Sequence, residues 1–263
     1  MRDRRDLEGV AVVTGGRGEL GRALCSRLAS AGMKAIAVDL PGTDADVELD
    51  VTDPDAVRRT VEDVVAAHGR LDVVIGNAGI GAAGVVEALP ADAWSRTLAV
   101  NVDGAVNLLR ATYPTMIEHR RGHLVFVSSL AGLVPTPLLV PYAMTKAAIV
   151  GLATSVRIEA SRHGIGVTVV CPGPMETSFL DTGGATGVVE GIDARRFLTR
   201  AAGRPISADA VAAATMRGIR RNRAIVAPGR AGLIWRLARL TPGGTEQVIT
   251  RAMRAELAQS STG

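Results

Sequence analysis

Near its amino terminus the chain reads Val10-Ala-Val-Val-Thr14, followed at once by Gly15-Gly-Arg-Gly18-Glu-Leu-Gly21 and the amphipathic stretch Leu20–Ala31. An apolar run, closely spaced glycines and a helical pattern predict a strand, a tight turn and a helix. Glycine allows backbone N–H groups to approach an anion, and the N-terminus of the following helix favours negative charge. In this setting the pattern indicates a turn that binds the pyrophosphate of a dinucleotide.

The alternation of apolar runs and amphipathic stretches continues to about residue 228. Runs rich in valine and isoleucine are typical of strands covered on both faces, and strand–helix repeats predict parallel strands joined by right-handed crossovers. We predict an α/β fold, a single Rossmann-type doubly wound parallel sheet with helices on both faces, in one domain covering 1–263. The predicted strands are Val10–Thr14, Ala35–Asp39, Val73–Gly76, Leu124–Ser128, Val167–Val170 and Ala224–Val226, and the predicted helices are Leu20–Ala31, Pro54–His68, Ala91–Glu118, Thr145–His163 and Ala208–Arg220.

Two segments interrupt this alternation. Gly173–Arg204 is rich in glycine and threonine and follows a predicted strand, so we expect a mobile lid. Arg230–Gly263 is an arginine-bearing tail, within which Leu233–Leu240 is amphipathic and cationic. We expect this helix to pack on the subunit or its partner; covering the substrate pocket and weak contact with a membrane surface are the alternatives.

Composition excludes several classes of function. The net charge of +4 and the pI of about 9.7 come without any basic run interleaved with aromatics, which argues against nucleic-acid binding. Cys25 and Cys171 lack metal-ligand spacing and the histidines do not pair, so we predict no metal. The first residues lack the apolar core of a signal peptide, and three prolines interrupt Leu130–Ala143, the stretch nearest to a membrane span. We therefore expect a cytoplasmic protein with reduced cysteines.

Two residues bear on which dinucleotide binds. Asp39 ends the second predicted strand, where a carboxylate accepts hydrogen bonds from the adenosine ribose and repels the additional phosphate of NADP. Arg17, in the glycine turn, acts in the opposite sense because a basic side chain can bind that phosphate. The alternative for Asp39 is a strand-end cap. On balance we expect NAD rather than NADP.

A candidate for proton transfer lies at Tyr142-Ala-Met-Thr-Lys146. A spacing of four places the phenol and the ammonium on one helix face, one turn apart. An unperturbed tyrosine has a pKa of about 10, and a neighbouring cation would lower that pKa towards the working pH. Taken alone, the pair is more typical of an ordinary surface tyrosine and lysine than of a catalytic pair.

Other polar residues follow predicted strands. Ser129 precedes Tyr142 by 13 positions and follows the run that ends at Ser128; Asn77-Ala-Gly79 and Cys171–Thr177 each follow another strand, and Asn101 lies inside the predicted helix Ala91–Glu118. Since parallel strands end at the same edge of a sheet, we expect these segments to converge on one crevice.

With these five motifs in this order, the chain resembles the short-chain dehydrogenase/reductase family over roughly residues 9–228. The resemblance implies that Tyr142 is the general acid/base, that Lys146 binds the nicotinamide ribose and lowers the tyrosine pKa, and that Ser129 binds the substrate oxygen. It further implies that Asn101 positions a water in the proton relay and that Thr177 contacts the nicotinamide amide. The cofactor-binding residues predicted in this way are Gly15, Arg17, Gly18, Glu19, Leu20, Gly21, Asp39, Asp50, Val51, Asn77, Ala78, Gly79, Tyr142, Lys146, Pro172, Gly173 and Thr177.

One position departs from the family pattern. Glu19 stands where members of this length usually have the middle glycine, and the spacing of Gly15, Gly18 and Gly21 is instead that of the extended branch, which contains epimerases. An epimerase-like enzyme is therefore one alternative to an NAD(P)-dependent oxidoreductase acting on CH–OH groups. A nucleotide-sensing scaffold without catalysis is another, although a binder alone needs none of the four catalytic residues together.

The substrate and the assembly follow from apolar surfaces. Leu130–Val134, Leu138–Pro141 and Met175–Leu180 should wall the substrate pocket, and Glu176 is their only charge. We therefore expect a bulky apolar alcohol or ketone, such as a steroid, terpenoid or lipid-derived compound. The predicted helices Ala91–Glu118 and Thr145–His163 carry more apolar residues than one sheet face needs, and family members commonly pair them in homodimers or homotetramers. The predicted substrate-binding residues are Ser129, Leu130, Leu139, Tyr142, Met175 and Phe179.

Overall fold

The computed structural model describes residues 7–180, 185–188 and 192–260. The strands are β1 Val10–Thr14, β2 Lys34–Asp39, β3 Val47–Glu48, β4 Val73–Gly76, β5 Gly81–Ala83, β6 His123–Val127, β7 Gly166–Val170, β8 Ala185–Val188 and β9 Ile225–Val226. The helices are α1 Glu19–Ser30, α2 Pro54–His68, α3 Ala91–Leu98, α4 Gly104–Glu118, α5 Val140–Ser161, α6 Ala194–Ala202, α7 Ala208–Arg220, α8 Ala231–Leu240 and α9 Pro242–Ser260.

Seven strands form one parallel sheet in the order β3-β2-β1-β4-β6-β7-β9. The chain moves outward from β1 to β3 on one side and then crosses to β4 on the other, so the strand order reverses beside β1. A ligand crevice opens at such a reversal, outside the carboxyl ends of the strands. The predicted doubly wound parallel sheet is confirmed.

Helices cover both faces of this sheet because successive strand residues point to opposite sides. Val10 and Val12 of β1 join the core formed with α2, α4 and α5, whereas Ala11 and Val13 join the core formed with α1 and α7. The near-continuous apolar strands of the sequence therefore reflect burial on both sides.

Some boundaries differ from those expected. The predicted helix Ala91–Glu118 is divided into α3, a π-helical turn at Ala99–Asp103, and α4. The helix predicted as Thr145–His163 begins earlier, so Tyr142 lies in its first turn. The sequence analysis missed β3, β5 and β8, which have two to four residues each and are too short to show a periodic pattern.

The predicted lid Gly173–Arg204 contains a 3₁₀ turn at Ser178–Leu180, then β8, which pairs with β5, and α6. Residues 181–184 and 189–191 of this segment lie outside the described residues, as do 1–6 and 261–263 of the predicted domain. A lid movement, like the single-domain extent, stays a prediction. In the tail, α8 and α9 are consecutive helices, and no helix in the described ranges is long and apolar enough to cross a membrane.

Candidate active site

The glycine turn joins β1 to α1 as predicted. Gly15 has a φ of +61°, a left-handed conformation that favours glycine. A Cβ atom at Gly21 would collide with the Gly15 carbonyl oxygen, so the helix can approach the turn only with glycine there. Gly18 is the N-cap of α1 and makes no side-chain cap, which leaves the helix N-terminus open toward the crevice.

Asn77 and Thr14 fix this turn to the end of β4. The Asn77 Nδ2 atom donates to the carbonyl oxygens of Thr14, at 3.1 Å, and Gly15, at 2.9 Å. The Thr14 hydroxyl accepts from the backbone N–H groups of Asn77 and Ala78. The side chain of Asn77 therefore holds the shape of the phosphate-binding turn.

Asp39 lies at the end of β2, where the sequence placed it. Its carboxylate accepts hydrogen bonds from the backbone N–H groups of Arg17, at 2.8 Å, and Leu40, at 2.9 Å. The Arg17 guanidinium forms an ion pair of 3.5 Å with Asp46, a partner that the sequence analysis missed. Asp46 itself accepts from the Ala37 N–H at 2.7 Å, so Arg17 is paired with an anchored carboxylate.

The predicted cofactor-binding residues Asp50 and Val51 follow β3. Asp50 is exposed and bonds Thr52 through its side chain, whereas Val51 is buried. A Cβ at Gly104 would lie 2.7 Å from Val51 Cγ2, and Asn107 donates to the Val51 carbonyl oxygen at 3.0 Å. Helix α4 therefore supports Val51 from behind, while Asp50 lines the crevice.

Ser129, Tyr142 and Lys146 come together at the mouth of the crevice. Lys146 is buried; its Nζ atom lies 5.4 Å from the centre of the Tyr142 ring and donates to the Val127 carbonyl oxygen at 3.0 Å. The Ser129 hydroxyl accepts from the Ala131 N–H at 3.1 Å and lies beside Tyr142, where it acts to lower the pKa of the phenol. The neighbouring Ser128 instead donates to the Lys146 carbonyl oxygen, at 2.7 Å, and so holds helix α5 against the end of β6.

The pKa values in this group differ from the expectation. Burial raises the pKa of Tyr142 to about 12, and the hydrogen bond from Ser129 opposes this only in part. Burial also lowers the pKa of Lys146 to about 8. A tyrosine pKa lowered by Lys146 was expected, but desolvation of the phenol is the larger effect here, so the phenol carries its proton at neutral pH.

Asn101 lies in the π-helical turn and is buried. Its side chain accepts from the Ile80 N–H at 2.8 Å and donates to the Ile80 carbonyl oxygen and to Thr145, both at 2.9 Å. These bonds tie the loop after β4 to α5. The side chain thus positions Ile80 and Thr145, two residues that the sequence analysis did not identify, and its part in a water relay stays a prediction.

One cavity of about 1020 Å³ joins these groups. Every predicted site residue lines it except Gly21, which packs beneath the turn, and Asn101, which lies behind Gly79. Glu19 also lines it, but its carboxylate accepts from the Ser178 N–H at 2.9 Å. Glu19, which stands where the family usually has a glycine, therefore connects α1 to the segment that carries Thr177.

The cavity extends beyond the predicted walls. Phe179 packs beside Tyr142, with ring centres 5.7 Å apart, and Leu130, Leu139 and Met175 line the wall as expected. Helices α6, α8 and α9 contribute further apolar residues to the cavity wall. These residues are Phe197, Leu198, Ala201, Ile234, Leu237, Val248 and Ile249. The sequence analysis had favoured packing of the tail helix on the subunit or its partner over covering the pocket. The amphipathic pattern of Leu233–Leu240 was the signal in the sequence for a position at the pocket.

The described residues contain no group of three histidine, cysteine or acidic side chains arranged to hold a metal ion. Both cysteines are free, and Cys171 is buried beneath the site. The absence of a metal requirement stays a prediction.

Comparisons with known proteins agree with this arrangement. A probable oxidoreductase, EphD, from Mycobacterium tuberculosis is 40% identical over 179 residues, which cover 64% of this chain but only 30% of that protein. The 3-oxoacyl-[acyl-carrier-protein] reductase FabG of Thermotoga maritima is 33% identical over 187 residues, covering 65% of this chain and 76% of the relative. A short-chain dehydrogenase/reductase from Burkholderia phymatum, solved in complex with NAD, superposes with a TM-score of 0.80 at 26% identity over 91% of this chain and 96% of its own.

The model of the short-chain dehydrogenase family matches residues 9–186, which include the glycine turn and all four predicted catalytic residues. With the sheet order and the position of these residues, the match identifies the class of protein. The chain belongs to the short-chain dehydrogenase family of oxidoreductases.

Proposed function

We propose that this protein is an NAD-dependent oxidoreductase that interconverts a secondary alcohol and a ketone. The observation that carries the proposal is the convergence of Ser129, Tyr142 and Lys146 between the glycine turn and an apolar cavity. The crevice is suited to a dinucleotide, because Gly15 and the uncapped N-terminus of α1 offer N–H groups to a pyrophosphate. When bound, the nicotinamide ring supplies or accepts the hydride.

The protein's own residues transfer the proton. During reduction, the protonated Tyr142 hydroxyl donates to the oxygen of the substrate carbonyl while the Ser129 hydroxyl binds the same oxygen. During oxidation, the proton moves from the alcohol to the Tyr142 oxygen. Lys146, held by the Val127 carbonyl at 3.0 Å, places a positive charge beside the phenol and favours its ionised form.

Preference for NAD over NADP rests on two carboxylates. Asp39 is held by two backbone N–H groups at the end of β2, where it accepts the ribose hydroxyls and repels a phosphate. Asp46 forms an ion pair with Arg17, the residue that would otherwise favour the phosphate of NADP.

A bulky apolar alcohol or ketone is the substrate that suits the cavity. The walls predicted from the sequence and those added by α6, α8 and α9 are mainly leucine, isoleucine, valine and phenylalanine. A charged substrate group would lose its hydration against such walls without gaining a partner. Steroid, terpenoid and lipid-derived compounds have the required shape and polarity.

The experiment that tests the function uses purified protein with NAD or NADP and a panel of secondary alcohols, sugars and hydroxy acids. Absorbance of the reduced cofactor should rise with NAD and the apolar alcohols. Isomerisation of a sugar without net reduction of the cofactor would favour the epimerase alternative. Cofactor binding without turnover of any substrate would favour the non-catalytic scaffold.

For the assembly, we propose a homodimer or homotetramer built through α4 and α5. Ile158 of α5 is 77% exposed, and burying this large apolar side chain against a second copy of the chain would be favourable. Light scattering at micromolar concentration should give at least twice the 27.2 kDa chain mass. A mass of one chain would contradict the proposal.

Weak contact with a membrane surface is the proposal for the outer face of α8. Leu233 and Leu240 are exposed along this helix near Arg236 and Arg239. Sedimentation with anionic vesicles should remove part of the protein from solution, and neutral vesicles should remove less. Equal recovery with both would contradict a contact driven by these arginines.

A further inference from the structure

The cavity ends beneath a cover formed by three helices, α6, α8 and α9. Phe197 and Leu198 of α6, Leu237 of α8, and Val248 and Ile249 of α9 face the cavity. These residues lie 55 to 107 positions beyond Tyr142 in the sequence. The apolar end of the cavity therefore exists only while α9 stays in place across α6.

A buried carboxylate holds α9 there. The side chain of Glu256 in α9 is fully buried, at 0% exposure. It accepts two hydrogen bonds from the Arg196 guanidinium of α6, with N–O distances of 2.8 and 2.5 Å, and one from the Asp193 N–H at 3.0 Å. Arg200, one turn further along α6, approaches it at 3.5 Å. Glu256 therefore joins the amino-terminal turn of α6 and its middle to α9.

The chemistry of this contact gives it a fixed geometry. An ionised carboxylate is costly to bury unless cations and N–H groups satisfy its oxygens, and a two-bond pairing with arginine fixes both distance and angle. Hydrogen bonds from Arg196 lower the pKa of Glu256, so the carboxylate is charged at neutral pH. Asp193 also caps α6 by accepting from the Arg196 N–H at 2.8 Å, so the arginine that binds Glu256 belongs to a fixed helix start.

The cover is also connected to the catalytic tyrosine. Phe197 and Ile249 share an apolar cluster with Leu138, which precedes α5. Leu198 shares a second cluster with Leu139 and Tyr142. A change in how α9 sits on α6 would therefore alter the space next to the reacting oxygen.

We propose that Glu256 is a positioning residue for substrate selection, because its ion pair with Arg196 and Arg200 holds α9 over the apolar end of the cavity. The proposal rests on the proposed function and makes its substrate class more specific. The substrate is an alcohol or ketone whose apolar body extends from Tyr142 to the contact between α6 and α9. Small alcohols bind beside Tyr142 without touching α9, so their binding does not depend on Glu256.

The test compares Glu256→Gln with Glu246→Gln, which removes an exposed carboxylate from the same helix. The probes are decahydro-2-naphthol, a bulky two-ring alcohol, and 2-propanol, a small one. We expect Glu256→Gln to raise the KM for the bulky alcohol about tenfold, a loss of about 1.4 kcal/mol. The KM for 2-propanol and the Kd for NAD should stay within twofold, and Glu246→Gln should behave like the parent protein.

Hydrogen exchange supplies a readout that does not need turnover. Amide exchange in α9 should become faster in Glu256→Gln while exchange in β1 and β6 is unchanged. Faster exchange with an unchanged KM for decahydro-2-naphthol would overturn the proposal, as would unchanged exchange. If Glu256→Gln fails to fold, Arg200→Gln removes the longer contact with Glu256 and an exposed hydrogen bond to Gln259 of α9, and it should raise the same KM about threefold. An unchanged KM there would also overturn the proposal.

Failure of the proposed function would look different. The parent protein would then turn over neither alcohol, and calorimetric titration of decahydro-2-naphthol would replace the KM. Tenfold weaker binding by Glu256→Gln than by Glu246→Gln would still support the role of Glu256, whereas equal affinities would overturn it.

Discussion

The two ends of the cavity are built in different ways. At the nucleotide end, Gly15, Asn77 and Asp39 lie at the ends of neighbouring parallel strands and are fixed by hydrogen bonds in which one partner is a backbone group. At the substrate end, α6, α8 and α9 contribute side chains, and α6 and α9 are held together by bonds between side chains, such as those of Arg196 and Glu256. The nucleotide end therefore depends on the sheet itself, and the substrate end depends on helices added to the sheet.

Because of this difference, substitutions at the two ends of the cavity should have different effects on activity. A change at the nucleotide end should affect the reaction with every substrate, because cofactor geometry is common to all of them. A change at the substrate end should alter which compounds react and leave the chemistry intact. The predictions below either support or contradict that separation.

The largest effect is expected where the two ends meet, at Tyr142. Tyr142→Phe removes the hydroxyl that exchanges the proton and keeps the ring that packs on Phe179. Turnover should fall about 10²- to 10⁴-fold for all substrates, the range for loss of a general acid, while the Kd for NAD changes little. Steady-state kinetics and a cofactor titration measure both quantities.

Tyr113→Phe, at the only other tyrosine of the chain, is the matched control and should retain full activity. Substantial turnover by Tyr142→Phe would show that another group supplies the proton.

The next effect concerns the nucleotide end alone. In Gly21→Ala, the added methyl meets the backbone of Gly15 and Gly16, which cannot move as a flexible side chain could. We expect a loss of about 2–3 kcal/mol in the free energy of unfolding, typical of overpacking, together with weaker NAD binding. Denaturant unfolding and cofactor titration measure the two effects.

Gly151→Ala is the control, because a Cβ at Gly151 in α5 meets no other atom within 4 Å. It should stabilise the protein by up to about 1 kcal/mol, the helix preference for alanine. Equal stability of the two variants would contradict the close packing described for Gly21.

A smaller effect is expected for cofactor choice. Asp39→Asn removes the charge that repels a phosphate and keeps one oxygen, which can accept from the Arg17 or the Leu40 N–H group, since these two groups bind different oxygens of Asp39. The ratio of kcat/KM for NAD to that for NADP should fall about tenfold, or about 1.4 kcal/mol. The ratio should fall by the same factor for every substrate.

Asp44→Asn, at an exposed residue of the following loop, should leave the ratio unchanged. A parent protein that prefers NADP would show that Arg17 outweighs both Asp39 and Asp46.

The smallest effect is the response to pH. Burial raises the pKa of Tyr142, so the phenol is mainly protonated at pH 7 and loses its proton more readily as the pH rises. Alcohol oxidation, which needs the ionised phenol, should be about three- to tenfold faster at pH 9 than at pH 7. This is less than the roughly hundredfold rise in ionised phenol that two pH units alone would give, because Lys146, whose pKa burial lowers to about 8, loses its favourable charge over the same range. Ketone reduction should not gain from the same change. An oxidation rate that falls between these pH values would contradict the assignment of Tyr142 as the base.

Much of the nucleotide end could be predicted from the sequence. β1, β4 and the glycine turn lie where the apolar runs and glycines placed them, because local pattern and burial on both faces decide such strands. Tyr142 and Lys146 were placed on one helix face by their spacing alone. β5 and β8 could not be found in this way, since their pairing with each other defines them.

The substrate end could be predicted only in part. Leu139 could be predicted as a wall residue because it is close to Tyr142 in the chain. Phe179 could be predicted because it lies in the segment that follows a strand end. No local pattern connects Glu256 to Arg196 or places Val248 over the cavity, because tertiary packing of α9 determines both. The pKa of Tyr142 was likewise misjudged, since the extent of desolvation depends on the whole environment of the ring.

The π-helical turn at Ala99–Asp103 is a place where a single deletion would change both the helix geometry and the contacts of Asn101. Such a turn holds one residue more than a regular helix accommodates. Deleting Val100 would let α3 and α4 merge into one continuous helix without the π turn, although Pro114 in α4 would still lack a backbone N–H. It would also rotate the residues before the deletion by about 100° relative to those after it, so Asn101 and the α3 residues could not both keep their present contacts. A more regular helix would therefore be obtained only with the loss of buried contacts at Asn101 or in α3.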